Sequence, residues 1–355
     1  MENLIRNSIK IIKQGQAPSG AYIACPNFPT YRYSWFRDGS FIAYAMNLVG
    51  EHESASRFHA WVVDTLLKRA GTIQTTLDKS HTGLEIEVQD ILHTRYTING
   101  EDGIIDEWPN FQLDGFGTWL WAMQQHQKLS GETLPEQWLK AADWLGQYLS
   151  ALWRKPCYDC WEEFPNEVHT HTLGAIYGGF KALVALGFNS YQADADQVKA
   201  YIFENCVYEG YFVKHAGSFT VDASLLGLAL PYRVVEVDDD RFIATVERIE
   251  NSLIKVGGVQ RYPTDTYYGG GEWILLTAWL GWVYADSGKL EKASRCRLWI
   301  KDQANSKNEL PEQVPLALND PNYYQPWVKR WGPIASPLLW SHAKLIILEH
   351  ALNTI

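Results

Sequence analysis

The chain has 355 residues, 46% of them hydrophobic and 20% charged, which is ample for a large core and excludes intrinsic disorder. Its formal charge of -10, with no basic cluster beyond short doublets, excludes a nucleic-acid partner, which would need clustered Lys and Arg against the phosphates. The longest apolar stretch, Trp273 to Ala285, is broken by Thr277 and Gly281 and is too short to span a bilayer. Polar residues interrupt every apolar run of Met1 to Lys10, so a cytoplasmic protein with no membrane partner is expected.

Apolar residues recurring at three and four positions, with capping signals at the ends, predict twelve helices. They cover 2–14, 39–49, 51–70, 114–130, 134–153, 171–187, 190–207, 221–230, 238–254, 271–287, 288–305 and 336–353. Short turns at Gly50, at Gly131-Glu132 and at Asp286-Ser287-Gly288 join neighbours as antiparallel hairpins. Longer, aromatic-rich loops precede every second helix, those starting near 39, 114, 171, 221, 271 and 336. All six loops therefore emerge at one end.

Six hairpins, the last closing on the first, predict an all-α (α/α)6 barrel, a toroid of inner and outer helices whose mouth carries the loops. An open solenoid would need self-similar repeats of fixed length, and the uneven helix starts show none. No Gly-, Ser- or Pro-rich linker divides the chain, so residues 1–355 are expected to form a single domain. The stretch from Gly71 to Glu107 has no helical pattern and leaves room for short strands.

Five cysteines at irregular spacings (Cys25, Cys157, Cys160, Cys206, Cys296) suit reduced thiols better than a disulfide framework. Cys157-x-x-Cys160 has metal-like spacing but lacks a second pair, and His169 and His171 are not placed as in a zinc finger, so no metal site is expected.

The loops gather acidic, amide, arginine and aromatic residues. In chain order they hold Tyr31-Arg32-Tyr33-Ser34-Trp35-Phe36-Arg37-Asp38, then Trp108 to Asp114, then Asp159-Cys160-Trp161-Glu162-Glu163, and then Thr220-Val221-Asp222. The fifth runs from Arg261 to Trp273 and the sixth holds Leu310-Pro311-Glu312-Gln313. This mixture suits a sugar, whose hydroxyls need polar partners and whose apolar faces stack on aromatic rings. Of the 16 tryptophans, Trp35, Trp108, Trp161 and Trp273 lie in or beside loops and are candidate sugar contacts. Trp119, Trp121, Trp144 and Trp153 lie within helices and are candidate core. The Gly269-Gly270-Gly271 run lacks the Lys and Ser/Thr of a phosphate loop and is expected to serve close backbone packing.

Taken in order along nearly the whole chain, these motifs resemble glycoside hydrolase family 15, the family of glucoamylases, glucodextranases and related exo-acting α-glucosidases on an (α/α)6 barrel. The resemblance implies that Tyr31, Trp35, Arg37 and Asp38 wall the subsite for the terminal glucose, with Arg37 and Asp38 on its outer hydroxyls. Trp108 resembles a loop tryptophan near the general acid, while Gln112 and Asp114 match flanking, structural positions. Arg261 resembles a substrate-binding arginine and Trp273 an aromatic near the entrance. Glu312 resembles the general base.

Adjacent carboxylates disfavour each other's charge, so one of Glu162 and Glu163 could stay protonated as an acid requires, but which one is not visible from the residues. The family pattern selects Glu162 as acid and makes Glu163 a substrate contact. The implied reaction is inverting hydrolysis at the non-reducing end of a short α-gluco-oligosaccharide, isomaltose- or maltose-type, with trehalose also within the family. Both proton transfers come from side chains, so no cofactor is expected. Leu113 stands where some relatives have Arg, which puts distal-subsite contacts in doubt. The alternative is a catalytically silent, sugar-binding or regulatory barrel, against which the presence of both Glu162 and Glu312 speaks.

Overall fold

A computed structural model describes residues 1–103 and 110–353. The predicted helices are present with ends shifted by a few residues, the ordinary fraying of termini. They are α1 (Glu2–Gln14), α2 (Phe36–Leu48), α3 (His52–Leu67), α5 (Asp114–Ser130), α6 (Glu136–Leu152), α7 (Thr170–Ala185) and α8 (Gln192–Asn205). Further along follow α9 (Asp240–Leu253), α10 (Ile274–Asp286), α11 (Leu290–Asp302) and α13 (Leu339–Ala351).

Two helices were not expected. α4 (Ala70–Thr82) is rich in Thr, opens beside Gly71 and buries only Ile73, Thr76 and Leu77, so packing on α6 rather than propensity sustains it. α12 (Tyr324–Trp331) contains Pro326, which is tolerated because it falls in the first turn, where the amide has no helical partner. Conversely, the segment expected as helix 221–230 is a short 3-10 helix, Ala223–Leu228. Asp222 caps it through the Ser224 amide, and Pro231 lies just beyond its end.

Inner and outer elements separate by burial. α1 and α9 bury one stripe each (Leu4, Ile5, Ser8 and Ile12; Phe242, Thr245, Val246, Ile249 and Leu253) and leave the rest partly or fully exposed, as outer helices should. α2, α7, α10 and α13 are buried nearly all round. α2 packs on α5, α5 on α7, α7 on the 3-10 helix, that helix on α10, α10 on α13 and α13 back on α2. This is a closed (α/α)6 barrel, not a solenoid. α5 and α7 meet backbone to backbone: a Cβ on Gly117 would lie 2.3 Å from the Ala175 carbonyl oxygen.

Phe41 lies at the centre of the barrel, stacked on Trp340 at 5.5 Å between ring centroids and in contact with Trp121 and Trp279. Trp119, Trp121 and Trp153 are buried as expected, whereas Trp144 is only partly so.

Among the described residues, three two-stranded antiparallel ribbons decorate the loops. β1 (Ser34–Trp35) pairs with β2 (Arg95–Tyr96), a strand inside the stretch without helical pattern, and β3 (Val207–Tyr208) pairs with β4 (Tyr211–Phe212). β5 (Glu272–Trp273) pairs with β6 (Gln313–Val314), setting Trp273 opposite Gln313 and next to Glu312. The close packing expected of the glycine run is present. A Cβ on Gly270 would lie 2.2 Å from the Asp265 carbonyl oxygen, and one on Gly271 2.3 Å from that of Val314.

Candidate active site

A cavity of about 300 Å³ opens between the first, third, fifth and sixth of the six loops. Its walls hold Tyr31, Trp35, Arg37, Asp38, Trp161, Glu162, Glu163, Arg261, Trp273 and Glu312. Every site residue predicted from sequence is thus brought together except Trp108, which lies outside the described residues. Arg37 and Asp38, expected in a loop, sit instead in the first turn of α2. Trp35 is extended and starts that helix, and an acidic side chain there faces the favourable end of the helix dipole.

The first wall is a buried charge network. Arg37 Nη1 donates to Gln112 Oε1 at 3.0 Å and to Asp114 Oδ2 at 3.3 Å, while its Nε lies 3.3 Å from Asp38 Oδ2. Gln112 and Asp114 therefore orient Arg37, in keeping with a supporting role. Burial pushes Asp38 up to about 6 against the pull of Arg37. Trp340 forms part of the wall, with the Arg37 guanidinium 5.5 Å from its ring centroid.

Glu162 projects from a tight hairpin. The Asp159 amide donates to the Glu163 carbonyl, the Glu162 amide donates to the Asp159 carbonyl, and Asp159 Oδ1 accepts from the amides of Trp161 and Glu163. These bonds hold Glu162 in a left-handed conformation, φ 68°, that a residue with a Cβ rarely adopts. The hairpin is pinned from behind by Lys214, whose Nζ donates to Asp159 Oδ2 at 2.9 Å and to Asp222 Oδ2 at 2.5 Å. Asp222 in turn accepts the Trp161 indole N–H at 3.1 Å. Trp35 Nε1 donates to Glu162 Oε1 at 2.6 Å, and Arg37 Nη2 stands 4.0 Å from the same oxygen. Burial raises the Glu162 carboxyl, with Arg37 and Trp35 opposing.

Glu163 is committed differently. Its two oxygens accept from Arg261 Nη2 at 3.3 Å and from Tyr262 Oη at 2.5 Å, and Arg261 is itself clamped on Asp265. The Arg261 guanidinium lies 5.4 Å from the Trp161 ring centroid and 5.2 Å from that of Trp273, so this wall is a layered aromatic and cationic surface.

Glu312 is buried on the far side. Its amide donates to the Ala335 carbonyl, while Ser341 Oγ donates to the Pro311 carbonyl and His342 Nε2 accepts from the Leu310 amide, so α13 grips this loop. Tyr267 and Tyr31 form a chain to the carboxylate: Tyr31 Oη donates to Glu312 Oε1 at 3.1 Å and lies 2.9 Å from Tyr267 Oη. Glu312 Oε2 is buried without a hydrogen-bond partner among the described residues. Burial pushes this carboxyl up to about 8, with Tyr31 and Arg261 opposing. Since burial raises both Glu162 and Glu312, electrostatics alone does not divide acid from base between them.

Several lining residues were not singled out from sequence, among them Trp340, Tyr267 and three residues of α12. Tyr267 lies within a quoted motif but carries no distinguishing spacing. Trp327, Arg330 and Trp331 belong to the unpredicted α12. The four-residue spacing of Trp327 and Trp331 was the available signal, obscured by Pro326. Among the described residues no group of three or more His, Cys, Asp or Glu is placed to hold a metal ion, and no helix is long and apolar enough to cross a membrane.

Paired buried carboxyls, a guanidinium on each side and a lining of indoles, set in the mouth of an (α/α)6 barrel, define a glycoside hydrolase. Residues 1–307 match the model of glycosyl hydrolases family 15, a match that stops short of Glu312. Isomaltose glucohydrolase of Kribbella flavida is 40% identical over the whole chain and 94% of its own length. A wild-type glycosidase structure, also 40% identical, superposes with a TM-score of 0.96 over 99% of this chain and 97% of its own, and a variant of similar fit is in complex with glucose. A bacterial glucoamylase complexed with acarbose, 22% identical, shares the fold at a TM-score of 0.73 over 99% of this chain and 55% of its own. The chain belongs to glycosyl hydrolase family 15. The silent-barrel alternative gives way to an enzyme.

Proposed function

We propose that this protein hydrolyses short α-gluco-oligosaccharides, isomaltose- or maltose-type, from the non-reducing end, releasing β-glucose with inversion, as one catalytic domain. The carrying observation is that Glu162 and Glu312 face a single cavity, each with one oxygen held by an aromatic donor. Glu162, with Oε1 taken by the Trp35 indole, carries its proton on Oε2 and delivers it to the glycosidic oxygen. Glu312, with Oε1 held by Tyr31, takes a proton from the attacking water on Oε2, the oxygen that has no hydrogen-bond partner among the described residues. Arg37 and Asp38 hold the glucose hydroxyls, and the indoles of Trp35, Trp161 and Trp273 offer apolar faces to the sugar. The name of the 40% identical relative supports the isomaltose-type substrate. Five free, buried cysteines support a reducing, cytoplasmic setting.

Incubation with isomaltose, maltose and trehalose, followed by NMR of the first-formed anomer, tests this reading. On isomaltose and maltose the newly formed glucose should appear as an excess of the β anomer over that carried by the leaving sugar, and trehalose should give equal α and β; an initial excess of α-glucose would refute inversion. Glu162→Gln and Glu312→Gln should each lower kcat on the disaccharide by roughly 10³-fold or more. Only Glu162→Gln should recover substantial turnover on α-glucosyl fluoride, whose leaving group needs no proton. The reverse pattern would exchange the two roles.

A further inference from the structure

The cavity is graded from floor to rim. Arg37, Asp38 and Glu312 are buried, whereas α12 contributes the half-buried Trp327 and Trp331 and the exposed Arg330. A glucose engaged by Arg37 and Asp38 at the floor has its C1 toward Glu162 and Glu312, so whatever is attached through the glycosidic oxygen points outward. Among the α-helices lining the cavity, α12 is the one whose lining residues are all half-buried or exposed.

That helix is built to hold a surface in place. Trp327 and Trp331 are one turn apart and so share a helix face, and α12 has no fully buried residue of its own. It is fixed by aromatic contacts instead: the Trp327 ring stands edge-on to Tyr267 at 5.0 Å and stacks against Tyr268 at 6.2 Å. Tyr268 Oη donates to the Gly332 carbonyl at 2.9 Å and so ties down the end of the helix. Tyr267 also belongs to the hydrogen-bond chain on Glu312, so the position of α12 is referenced to one of the two carboxylates. The Arg330 guanidinium lies over both indoles, 5.5 Å from the centroid of Trp327 and 5.0 Å from that of Trp331. Rigid indoles beside a guanidinium with donors to spare suit the apolar face and the hydroxyls of a second sugar.

We infer that α12 is the wall that binds the leaving sugar, with Trp327 and Trp331 as its stacking surface and Arg330 as its hydroxyl donor, and that this wall sets the preference for a short leaving group. The inference rests on the hydrolase reading above and adds to it the residues that select the leaving group. On this assignment one sugar lies beyond the scissile bond within the cavity of about 300 Å³ that α12 lines, and longer chains must pass across the helix.

The test compares two substrates that share the glucose but not the leaving sugar: α-glucosyl fluoride and whichever of isomaltose, maltose and trehalose the unmutated enzyme cleaves fastest. In Trp327→Ala and Trp331→Ala, the ratio of kcat/KM for the disaccharide to that for the fluoride should fall by about tenfold or more, chiefly through KM. Arg330→Gln, altering an exposed side chain, should lower the same ratio by about threefold and keeps the test open should a tryptophan variant fail to fold. A parallel loss on both substrates, or an unchanged ratio in all three variants, overturns the assignment of α12. Failure of the unmutated protein on every α-glucoside would instead sink the hydrolase reading itself, so the two failures are distinguishable.

Discussion

At the scale of single residues, the site carries a conflict between stability and chemistry, concentrated on Glu312. Its carboxyl is raised from the ordinary 4.5 to about 8 by burial, so the folded protein keeps a proton that the unfolded chain releases between those values. The stability this group contributes is complete below about 4.5 and is lost as pH rises through about 8, whereas the role of base proposed for it needs the ionised form. Glu312→Gln should therefore match the unmutated protein in denaturant unfolding near pH 4 and exceed it near pH 8 by on the order of 2 to 4 kcal/mol. Equal stability of the two proteins at both pH values would show that the burial cost is not present. The chemical types of Tyr31, Trp35, Arg37, Asp38, Glu162 and Glu312 were legible in the sequence. The hydroxyl chain from Tyr267 was not, because a hydrogen bond between residues 236 positions apart has no local signature.

At the scale of elements, the group proposed as the acid is held by a short piece of structure rather than by a long one. The hairpin at 159–163 keeps Glu162 in a left-handed conformation through backbone bonds closed by Asp159, and Lys214 compensates the buried charges of Asp159 and Asp222. Lys214→Met would leave those two carboxylates buried without their shared cation, at a cost of about 3–5 kcal/mol. Urea unfolding measures that cost directly, and kcat should fall with it as the hairpin loosens. A loss below about 1 kcal/mol would mean that the triad is not what fixes the Glu162 hairpin. None of this was readable beforehand, because Lys214 and Asp222 acquire their meaning only where β4, the 3-10 helix and the hairpin meet. The ribbons of two-residue strands escaped for a related reason: pairs such as Trp273 with Gln313 leave no alternating pattern long enough to recognise.

At the scale of the whole molecule, function depends on closing the ring. α13 is both the last inner stave and the anchor of the Glu312 loop, through Ser341, His342 and Leu338, and it supplies Trp340 to the cavity wall. It packs on α2, α10 and α1, so the C-terminal helix locks the N-terminal one. Deleting residues 337–355 should therefore abolish cooperative thermal unfolding altogether, leaving no single transition by calorimetry and no activity. A truncated protein that still melts in one sharp transition would contradict the dependence of the barrel on closure.

By itself the sequence determined the helical class, the alternation of inner and outer helices and the chemical character of the loops. These follow from periodicity, capping and composition, which act over a few residues and so are written locally. Tertiary structure alone decided that α4 and α12 are helices at all, that the segment expected as helix 221–230 is only a short 3-10 helix, and that Trp327 and Trp331 line the cavity. The physical reason is common to all three. Each depends on burial against a surface built by distant parts of the chain, and that free energy exists only once those parts have come together.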